Sequence, residues 1–336
     1  MMRIGIVGAG AWGTALAQVI RRQGKETVLY AREPEVIKTI RETSENTIYL
    51  PGIKLDSGID ATDALDVVAD ADALLLTTPA QYLRQTTESL ARYLTDNTPV
   101  VICAKGIEEK SGALMSEIIG ATLPEAPLAV LSGPTFAAEV ARGLPTAATL
   151  ASRDKVAGKK LLAILGSPRF RTYLSDDVIG AQIGGAVKNV LAIACGIVEG
   201  RRLGENARAA LITRGLAEIL RLGVALGGHP KTFMGLSGLG DLTLTCNSRQ
   251  SRNLSLGVAL GEGKPLKEIL AGRKFVTEGV YTARAIPELA KRHGLEMPIA
   301  DAVCDVLHRG ADIDLTIAGL LARPLGEELP DGIGFS

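Results

Sequence analysis

The chain has 336 residues, 46% of them hydrophobic and 22% charged, and its 37 basic and 37 acidic side chains cancel. This length exceeds the usual size of a single hydrophobic core, so two domains are expected. The zero net charge argues against nucleic-acid binding and against attachment to a membrane surface, both of which require a basic excess. The four cysteines are widely spaced, which indicates a reducing, cytoplasmic setting, and the three histidines lack metal-ligand spacing, so no metal is expected.

The chain opens on a short apolar run, residues 4–7, that leads directly into a G-x-G-x-x-G turn and a helical pattern. Gly8 permits a tight turn, Gly10 lets the backbone approach a pyrophosphate, and Gly13 lets the helix pack closely on the strand. The free N–H groups and positive dipole end of such a helix favour phosphate. The pattern therefore predicts a dinucleotide site, with an ordinary glycine-rich turn as the alternative. Because the first strand starts at Arg3, no signal peptide is expected.

Strand-like and helix-like patterns alternate through the first half of the chain. Strands are predicted at residues 4–7, 27–30, 73–77, 100–104, 128–131, 146–151 and 171–174. Helices are predicted between them at residues 15–23, 34–42, 83–93 and 113–120. This alternation indicates an α/β fold in which residues 1–180 form a Rossmann-type, doubly wound parallel sheet with helices on both faces.

From about Asp177 the pattern is helical. Helices are predicted at residues 178–200, 206–226, 251–260, 266–271, 282–293 and 299–308. Because no strand pattern follows Leu174, residues 181–336 are predicted to form an all-helical substrate-binding and catalytic domain. The longest uninterrupted apolar run, residues 190–198, is shorter than the roughly 20 residues that a membrane span needs, so no span is expected.

The end of the second predicted strand bears on the choice of cofactor. In dinucleotide-binding folds this strand tip contacts the adenosine ribose, and an acidic residue there favours NAD. Arg32 stands at the tip, and a guanidinium can pair with a 2′-phosphate, which favours NADP(H). Glu33 is adjacent, so NAD(H) stays open, and a solvated surface arginine is the alternative.

Two lysines are candidates for the chemistry. Lys105 follows a predicted strand and precedes a glycine, at the sheet edge where such folds bind ligands, although strand-end lysines also simply face solvent. Lys188 lies in a helix that is apolar nearly all round and is therefore buried. Burial drives a lysine towards neutrality, which suits proton transfer at a carbonyl or alcohol oxygen. The alternative is a structural salt bridge, for which Asp241 is the candidate partner.

A cluster of glycines and hydroxyl residues surrounds Asp241, and Ser251-Arg252-Asn253 then opens a predicted helix. An arginine forms bidentate hydrogen bonds with a phosphate, and a helix start adds N–H donors. Together with the dinucleotide turn and a buried lysine, this cluster predicts a dehydrogenase that acts on a small phosphorylated substrate.

These residues closely resemble the bacterial NAD(P)-dependent glycerol-3-phosphate dehydrogenases. The resemblance covers nearly the whole chain, and its motifs are residues 8–17, 49–52, 104–106, 132–147, 185–190, 234–241, 251–253 and 277–279. It implies reversible reduction of dihydroxyacetone phosphate to sn-glycerol 3-phosphate for phospholipid synthesis, in a protein that commonly forms homodimers.

The resemblance also implies roles for single residues. Lys188 matches the proton acceptor for the alcohol, and Lys105 matches a lysine that contacts both substrate and cofactor. The positions that match substrate-binding residues are Lys105, Gly133, Thr135, Asp241, Ser251, Arg252 and Asn253. Those that match cofactor-binding residues are Ala11, Trp12, Arg32, Lys105, Ala137, Arg252, Val276 and Glu278. Two positions depart from the family, which usually has serine at both Ala11 and Thr135.

The resulting hypothesis is hydride transfer from nicotinamide to the ketone carbon, with Lys188 protonating the alkoxide that develops. Lys105 and Asn189 orient the carbonyl and Asp241 holds Lys188, while Arg252 and Asn253 anchor the phosphate. Two other functions stay open at this point. One is a related two-domain reductase of the hydroxy-acid or ketopantoate type, and the other is a non-catalytic NADP(H)-sensing protein.

Overall fold

The structure, a computed structural model, describes residues 2–95, 97–272 and 275–325. Its contacts divide the chain into two compact units. The first unit consists of the chain up to Ala104 together with Met115–Val178. The second consists of Lys105–Leu114 and the chain from Ile179 onward. A short segment that follows a strand of the first unit therefore packs with the helices of the second.

The first unit is built on one eight-stranded sheet with the order β3-β2-β1-β4-β5-β6-β7-β8. Its strands are β1 (Arg3–Val7), β2 (Glu26–Tyr30), β3 (Ile59–Thr62), β4 (Ala73–Leu76), β5 (Val100–Ile102), β6 (Leu128–Ser132), β7 (Thr146–Ala151) and β8 (Phe170–Ser175). Its helices are α1 (Ala11–Arg21), α2 (Pro34–Thr43), α3 (Leu65–Ala69), α4 (Leu83–Leu90), α5 (Met115–Thr122), α6 (Ala137–Arg142) and α7 (Lys155–Leu165). The predicted Rossmann-type sheet is confirmed.

Two features of the sheet differ from the sequence prediction. β3 was not predicted, because Asp60 and Thr62 interrupt the apolar run that marks a buried strand. β6 and β7 pair antiparallel, whereas the other pairs in the sheet are parallel. An apolar pattern marks a buried strand but carries no direction, so a fully parallel sheet was the wrong expectation here.

The second unit is helical, as predicted. Its helices are α8 (Val178–Gly200), α9 (Glu205–Ala225), α10 (Pro230–Phe233), α11 (Asp241–Asn247), α12 (Arg252–Gly261), α13 (Leu266–Ala271), α14 (Glu278–Arg292), α15 (Pro298–His308) and α16 (Ile313–Leu321), with one π-helical turn at Leu236–Gly240.

Helix α8 forms the centre of the second unit. It is the one helix in the described part of the chain long and apolar enough to cross a membrane, with a mean hydropathy of 1.5. The uninterrupted apolar run, residues 190–198, underestimates the length of this apolar helix, because Gln182, Lys188 and Asn189 interrupt the run. In the structure 94% of its most apolar window is buried by protein, as in the core helix of a soluble protein. The protein therefore supplies the apolar surroundings that a membrane would otherwise have to provide.

Helices α8 and α12 touch through glycine. A Cβ on Gly196 would lie 2.2 Å from the carbonyl oxygen of Leu254, and a Cβ on Gly257 would lie 2.1 Å from that of Ile193. Both neighbours are backbone atoms, which a side-chain rotation cannot move aside. The backbones of the two helices are therefore in direct contact at this crossing.

A buried carboxyl group connects α9 to α15. Glu218 is 1% exposed and accepts hydrogen bonds from the backbone N–H groups of Ile299 (2.7 Å) and Ala300 (3.1 Å). These donors belong to the first turn of α15, where a helix leaves N–H groups without internal partners. Burial raises the pKa of Glu218 to about 7, although both hydrogen bonds oppose the shift.

This pKa predicts a pH-dependent stability. Because folding raises the pKa of Glu218 above its ordinary value of 4.5, its contribution is complete below that value and is lost as pH rises through about 7. The full loss amounts to roughly 3–4 kcal/mol at about 1.4 kcal/mol per pKa unit. Glu218→Gln retains an oxygen acceptor but does not ionise, so it should flatten this part of the profile. Urea unfolding at pH 5 and pH 8 measures the effect, with Glu205→Gln on the same helix as the control. Equal pH slopes for the wild type and Glu218→Gln would contradict the prediction.

Candidate active site

The glycine turn lies at the carboxyl end of β1. Gly8 has φ +119°, a conformation that side chains rarely adopt, and its N–H donates to the carbonyl oxygen of Tyr30 on β2 (3.1 Å). A Cβ on Gly13 would lie 1.9 Å from the carbonyl oxygen of Gly8, so the turn and α1 need glycine here. A Cβ on Gly10 would meet nothing within 4 Å. The turn is tightly packed on one side and open at Gly10, as the close approach of a pyrophosphate requires.

Ala11 and Trp12 form the first residues of α1, directly beyond the turn. The Trp12 ring packs against Phe170, with 6.4 Å between ring centroids. Its indole Nε1 is buried and has no hydrogen-bond partner among the described residues. A buried donor without a partner is costly, so this nitrogen is a free donor next to the pyrophosphate turn. The residues of the turn therefore fit a dinucleotide.

The segment after β2 carries the residues that bear on the adenosine ribose. Arg32 has a side chain that is 78% exposed, and its Nη2 lies 3.7 Å from Oε1 of Glu33. Tyr49 donates its hydroxyl hydrogen to the same Glu33 oxygen at 3.4 Å. Both sequence candidates are therefore at the strand tip, and a third residue from a separate loop joins them.

Three further candidates follow β6 in the first unit. Gly133 has φ +148°, and a Cβ there would lie 3.0 Å from Cα of Ala148 on β7. The Thr135 hydroxyl donates to the carbonyl oxygen of Gly133 (3.2 Å), and Ala137 begins α6. This turn requires glycine at residue 133 and presents the Thr135 hydroxyl beside it.

A carboxylate in the second unit holds two lysines. Lys188 on α8 donates to Oδ1 of Asp241 (2.5 Å), and Lys105 donates to Oδ2 of the same residue (2.7 Å). Lys188 also donates to the hydroxyl of Thr245 at 2.8 Å. The side chains of Asp241, Lys188 and Lys105 are 1%, 8% and 17% exposed. Two ammonium groups therefore share one buried carboxylate, and Lys105 retains the most access to solvent.

This environment changes the acidity of Lys188. Burial lowers its pKa from 10.5 to about 8, and the positive charge of Lys105 adds to that effect. The carboxylate of Asp241 opposes the shift and keeps it moderate. A lysine with a pKa near 8 can both donate and accept a proton close to neutral pH, which suits a reversible reaction.

A chain of amide hydrogen bonds lies next to this cluster. Asn189, the residue after Lys188, donates to the carbonyl oxygens of Gly185 (3.3 Å) and Lys105 (3.4 Å). Its Oδ1 accepts from Nδ2 of Asn253 (2.9 Å), whose own Oδ1 accepts from the N–H of Gly279 (3.0 Å). These hydrogen bonds therefore join α8, α12 and α14. They occupy the side-chain oxygen of Asn253 and one of its two amide hydrogens.

The start of α12 carries the candidate phosphate anchor. Ser251 is the N-cap, and its hydroxyl accepts from the N–H of Leu254 (3.2 Å). Arg252 follows as the first helical residue, and the residue as a whole is accessible to solvent. Protein atoms nevertheless surround its guanidinium, and this partial desolvation lowers the pKa of Arg252. The charge of Glu278, at the start of α14, opposes this shift. The last cofactor candidate, Val276, is half-buried just before α14.

The structure thus brings together Lys105, Lys188 and Asp241, and it connects Asn189 to Asn253. Thr245 was not among the sequence candidates, although it lies one helical turn after Asp241 on α11, so both side chains are on one face. That i, i+4 spacing was the available signal. Within residues 2–95, 97–272 and 275–325 no group of three His, Cys, Asp or Glu side chains is placed to hold a metal ion.

A Rossmann-type sheet with a glycine turn, and a helical unit with a buried lysine of lowered pKa, define a two-domain dehydrogenase of the nicotinamide class. The sequence-family model for the N-terminus of NAD-dependent glycerol-3-phosphate dehydrogenase matches residues 3–157. The corresponding family model for the C-terminus matches residues 177–318. The chain belongs to the NAD-dependent glycerol-3-phosphate dehydrogenase family.

Individual relatives agree with this assignment. The chain is 55% identical over 326 residues to glycerol-3-phosphate dehydrogenase [NAD(P)+] of Parvibaculum lavamentivorans, covering 97% of this chain and 98% of the relative. It is 56% identical to the protein of that name in Rhodospirillum rubrum, covering 97% of this chain and 93% of that one. A crystal structure of glycerol-3-phosphate dehydrogenase from Coxiella burnetii superimposes with a TM-score of 0.92 at 39% identity, covering 96% of this chain and 99% of that one.

Proposed function

We propose that the protein interconverts dihydroxyacetone phosphate and sn-glycerol 3-phosphate with NADP(H), and also with NAD(H). The reaction would supply glycerol 3-phosphate for phospholipid synthesis in the cytoplasm. The observation that carries the proposal is the buried cluster of Lys188, Asp241 and Lys105, in a chain that belongs to this family. In this proposal residues 1–180 supply most of the cofactor contacts, and residues 181–336 supply most of the substrate contacts and catalytic groups.

The cofactor would be held first by the glycine turn. The open side of Gly10 and the N–H groups at the start of α1 suit its pyrophosphate. When bound, NAD(P)H supplies the hydride that reduces the ketone carbon. The other proposed contacts come from Ala11, Trp12, Arg32, Lys105, Ala137, Arg252, Val276 and Glu278.

Lys188 would transfer the proton. In the reducing direction its ammonium donates a proton to the ketone oxygen as that oxygen becomes an alkoxide, and in the oxidising direction the neutral amine takes the proton back. Asp241 keeps the amine in place through the 2.5 Å hydrogen bond, and Thr245 restricts it from a second side. Lys105 and Asn189 would orient the carbonyl and stabilise the charge that develops on its oxygen.

The phosphate would be bound away from the reacting carbon. Arg252 supplies the charge, and Ser251 and Asn253 flank it at the start of α12. Gly133 and Thr135 would add further substrate contacts. Thr135 retains the hydroxyl of the serine that the family usually has at this position, and this hydroxyl would make the contact. Binding energy at the phosphate then positions the carbonyl for reaction, which raises turnover as well as affinity.

The test is steady-state oxidation of NADPH and NADH with dihydroxyacetone phosphate. A panel of 2-keto acids that includes ketopantoate is assayed beside it. We expect turnover with the phosphorylated ketone and little with the acids. Preference for a keto acid would assign the chain to the alternative reductase class. Cofactor binding without any turnover would point to an NADP(H) sensor instead.

The phosphate anchor has its own test. Arg252→Ala should lower kcat/KM for dihydroxyacetone phosphate about 10²-fold, because loss of a charge-assisted contact costs on the order of 2–5 kcal/mol. Reduction of unphosphorylated dihydroxyacetone should change little when both reactions are measured at saturating NADPH, so that the proposed cofactor contact of Arg252 does not limit either rate. Arg249→Ala is the matched control, since Arg249 lies three residues earlier, is 77% exposed and pairs with Glu199. An equal loss with both ketones would show that Arg252 does not act on the phosphate.

We also propose that the protein is a homodimer. Helix α16 supports this, because it has no fully buried residue although its sequence is strongly apolar. Leu315 is 75% exposed and Leu321 is 81% exposed. Such a face is typical of a protein–protein contact. Light scattering should give twice the mass of the chain, and Leu315→Lys with Leu321→Lys should give a monomer.

A further inference from the structure

We propose that Glu33, held in place by Tyr49, sets the balance between the two nicotinamide cofactors. The Glu33 carboxylate would accept a hydrogen bond from the ribose hydroxyl of NAD(H) and repel the 2′-phosphate of NADP(H). Arg32 acts in the opposite direction by attracting that phosphate. The inference rests on the proposed function, because it assumes that the glycine turn binds these nucleotides.

The position of Glu33 supports the proposal. Val7 at the end of β1 is in register with Tyr30 at the end of β2, and the N–H of Gly8 donates to the carbonyl oxygen of Tyr30. The pyrophosphate turn and the tip of β2 are therefore joined by a backbone hydrogen bond. In this fold the adenosine ribose is bound at that tip, where an acidic residue receives its hydroxyl groups.

The loop that carries Tyr49 is fastened to the same turn. Asn46 is fully buried and donates its amide hydrogens to the carbonyl oxygen of Ala9 and to the hydroxyl of Thr14, both at 2.8 Å. Its Oδ1 accepts from the N–H of Tyr49 at 3.0 Å, and its carbonyl oxygen accepts from the N–H of Leu50 at 2.9 Å. Asn46 thus connects the glycine turn to Tyr49, so the two keep a constant relative position.

Tyr49 in turn orients Glu33. Its hydroxyl donates to Oε1 of Glu33, and the same oxygen is the one nearest Arg32. Burial and the charge of Glu33 raise the pKa of Tyr49, so the phenol stays a neutral donor. Both contacts use Oε1, which leaves the second carboxylate oxygen as the acceptor for a ribose hydroxyl.

The pair formed by Arg32 and Glu33 is weak. Their closest atoms are 3.7 Å apart, and the side chains are 78% and 40% exposed. Exposed ion pairs of this kind are screened by water, so neither charge is neutralised by the other. A 2′-phosphate therefore meets an attractive guanidinium and a repulsive carboxylate side by side, whereas a 2′-hydroxyl meets an acceptor. This combination fits a site that accepts both cofactors.

The test measures binding rather than turnover. Calorimetric titration with 2′,5′-ADP and with 5′-ADP compares the two ribose substituents directly. Glu33→Gln should bind 2′,5′-ADP about five- to tenfold more tightly and 5′-ADP about two- to fivefold more weakly. Tyr49→Phe keeps the ring but releases Glu33, so it should weaken 5′-ADP binding. Glu35→Gln is the matched control, because Glu35 is an exposed carboxylate two residues further along.

The outcomes separate the two proposals. An unchanged ratio of the two affinities in Glu33→Gln, or an equal change in Glu35→Gln, would overturn the role of Glu33 and leave the enzyme function standing. Binding of neither nucleotide to the wild type would overturn the proposed cofactor use itself, and the inference with it. The melting temperature of each variant shows whether a loss of binding reflects unfolding.

Discussion

Replacing Lys188 by methionine should lower the turnover of dihydroxyacetone phosphate about 10³- to 10⁴-fold, the upper range for loss of a general acid. Methionine fills similar space without charge, so the buried position does not become a cavity. Asp241 keeps a partner in this variant, because Lys105 still donates to its other oxygen. The measurement is kcat at saturating substrate, with NADPH binding and the melting temperature as checks on the fold. Near-normal turnover in a folded variant would exclude Lys188 as the proton donor.

The pH dependence of the reaction rate tests the role of Lys188 independently. With the pKa of Lys188 at about 8, ketone reduction should fall as pH rises through 8, because the protonated form is lost. Alcohol oxidation should rise over the same range, because it needs the neutral amine. Lys231→Met, which removes an exposed lysine of α10, should retain both limbs. Lys188→Met should lack them in its residual activity.

Replacing Gly257 by alanine should cost about 4 kcal/mol of unfolding free energy, more than most single substitutions do. The new Cβ would lie 2.1 Å from the carbonyl oxygen of Ile193, so α8 and α12 would have to separate. Separation exposes part of the core around α8, and this loss exceeds the gain of roughly 1 kcal/mol that alanine brings to a helix. Urea unfolding followed by circular dichroism measures the difference.

The control for this prediction is the same substitution at an open position. A Cβ on Gly120 in α5 would meet nothing within 4 Å, so only the helix propensity should change. Gly120→Ala should therefore stabilise the protein by about 0.5–1 kcal/mol. If Gly257→Ala were also neutral or stabilising, the helix backbones would not be in the contact described.

Residues with a strong local pattern could be predicted from the sequence. Gly8, Gly10 and Gly13 lie between a strand and a helix in one short stretch, and Lys188 is the one charged residue in the apolar run 178–198. Both patterns involve residues that are close in the sequence, so they can be recognised without knowledge of the tertiary structure. The helical second half was predictable for the same reason, because its apolar residues recur at helical spacing.

The remaining features depend on contacts between distant parts of the chain. Lys105 shares Asp241 with Lys188, although 136 residues separate Lys105 from Asp241. No local pattern shows that Lys105–Leu114 packs with the helical unit, nor that β7 runs antiparallel to β6. The contact between Tyr49 and Glu33 is equally invisible in the sequence, because it depends on the buried side chain of Asn46.

The glycine contact between α8 and α12 has a consequence for substrate selection. Helix α8 carries Lys188, and α12 begins with Arg252, so the backbone contact and the hydrogen bond from Asn253 to Asn189 fix the distance between the proposed proton donor and the proposed phosphate anchor. Two helices joined in this way act as a spacer of constant length. A ketone with one more carbon before its phosphate would be displaced by over 1 Å at the reacting atom, an error that costs on the order of 10²-fold in rate. If Lys188 and Arg252 have the proposed roles, this helix crossing would discriminate between substrates by carbon number without touching them.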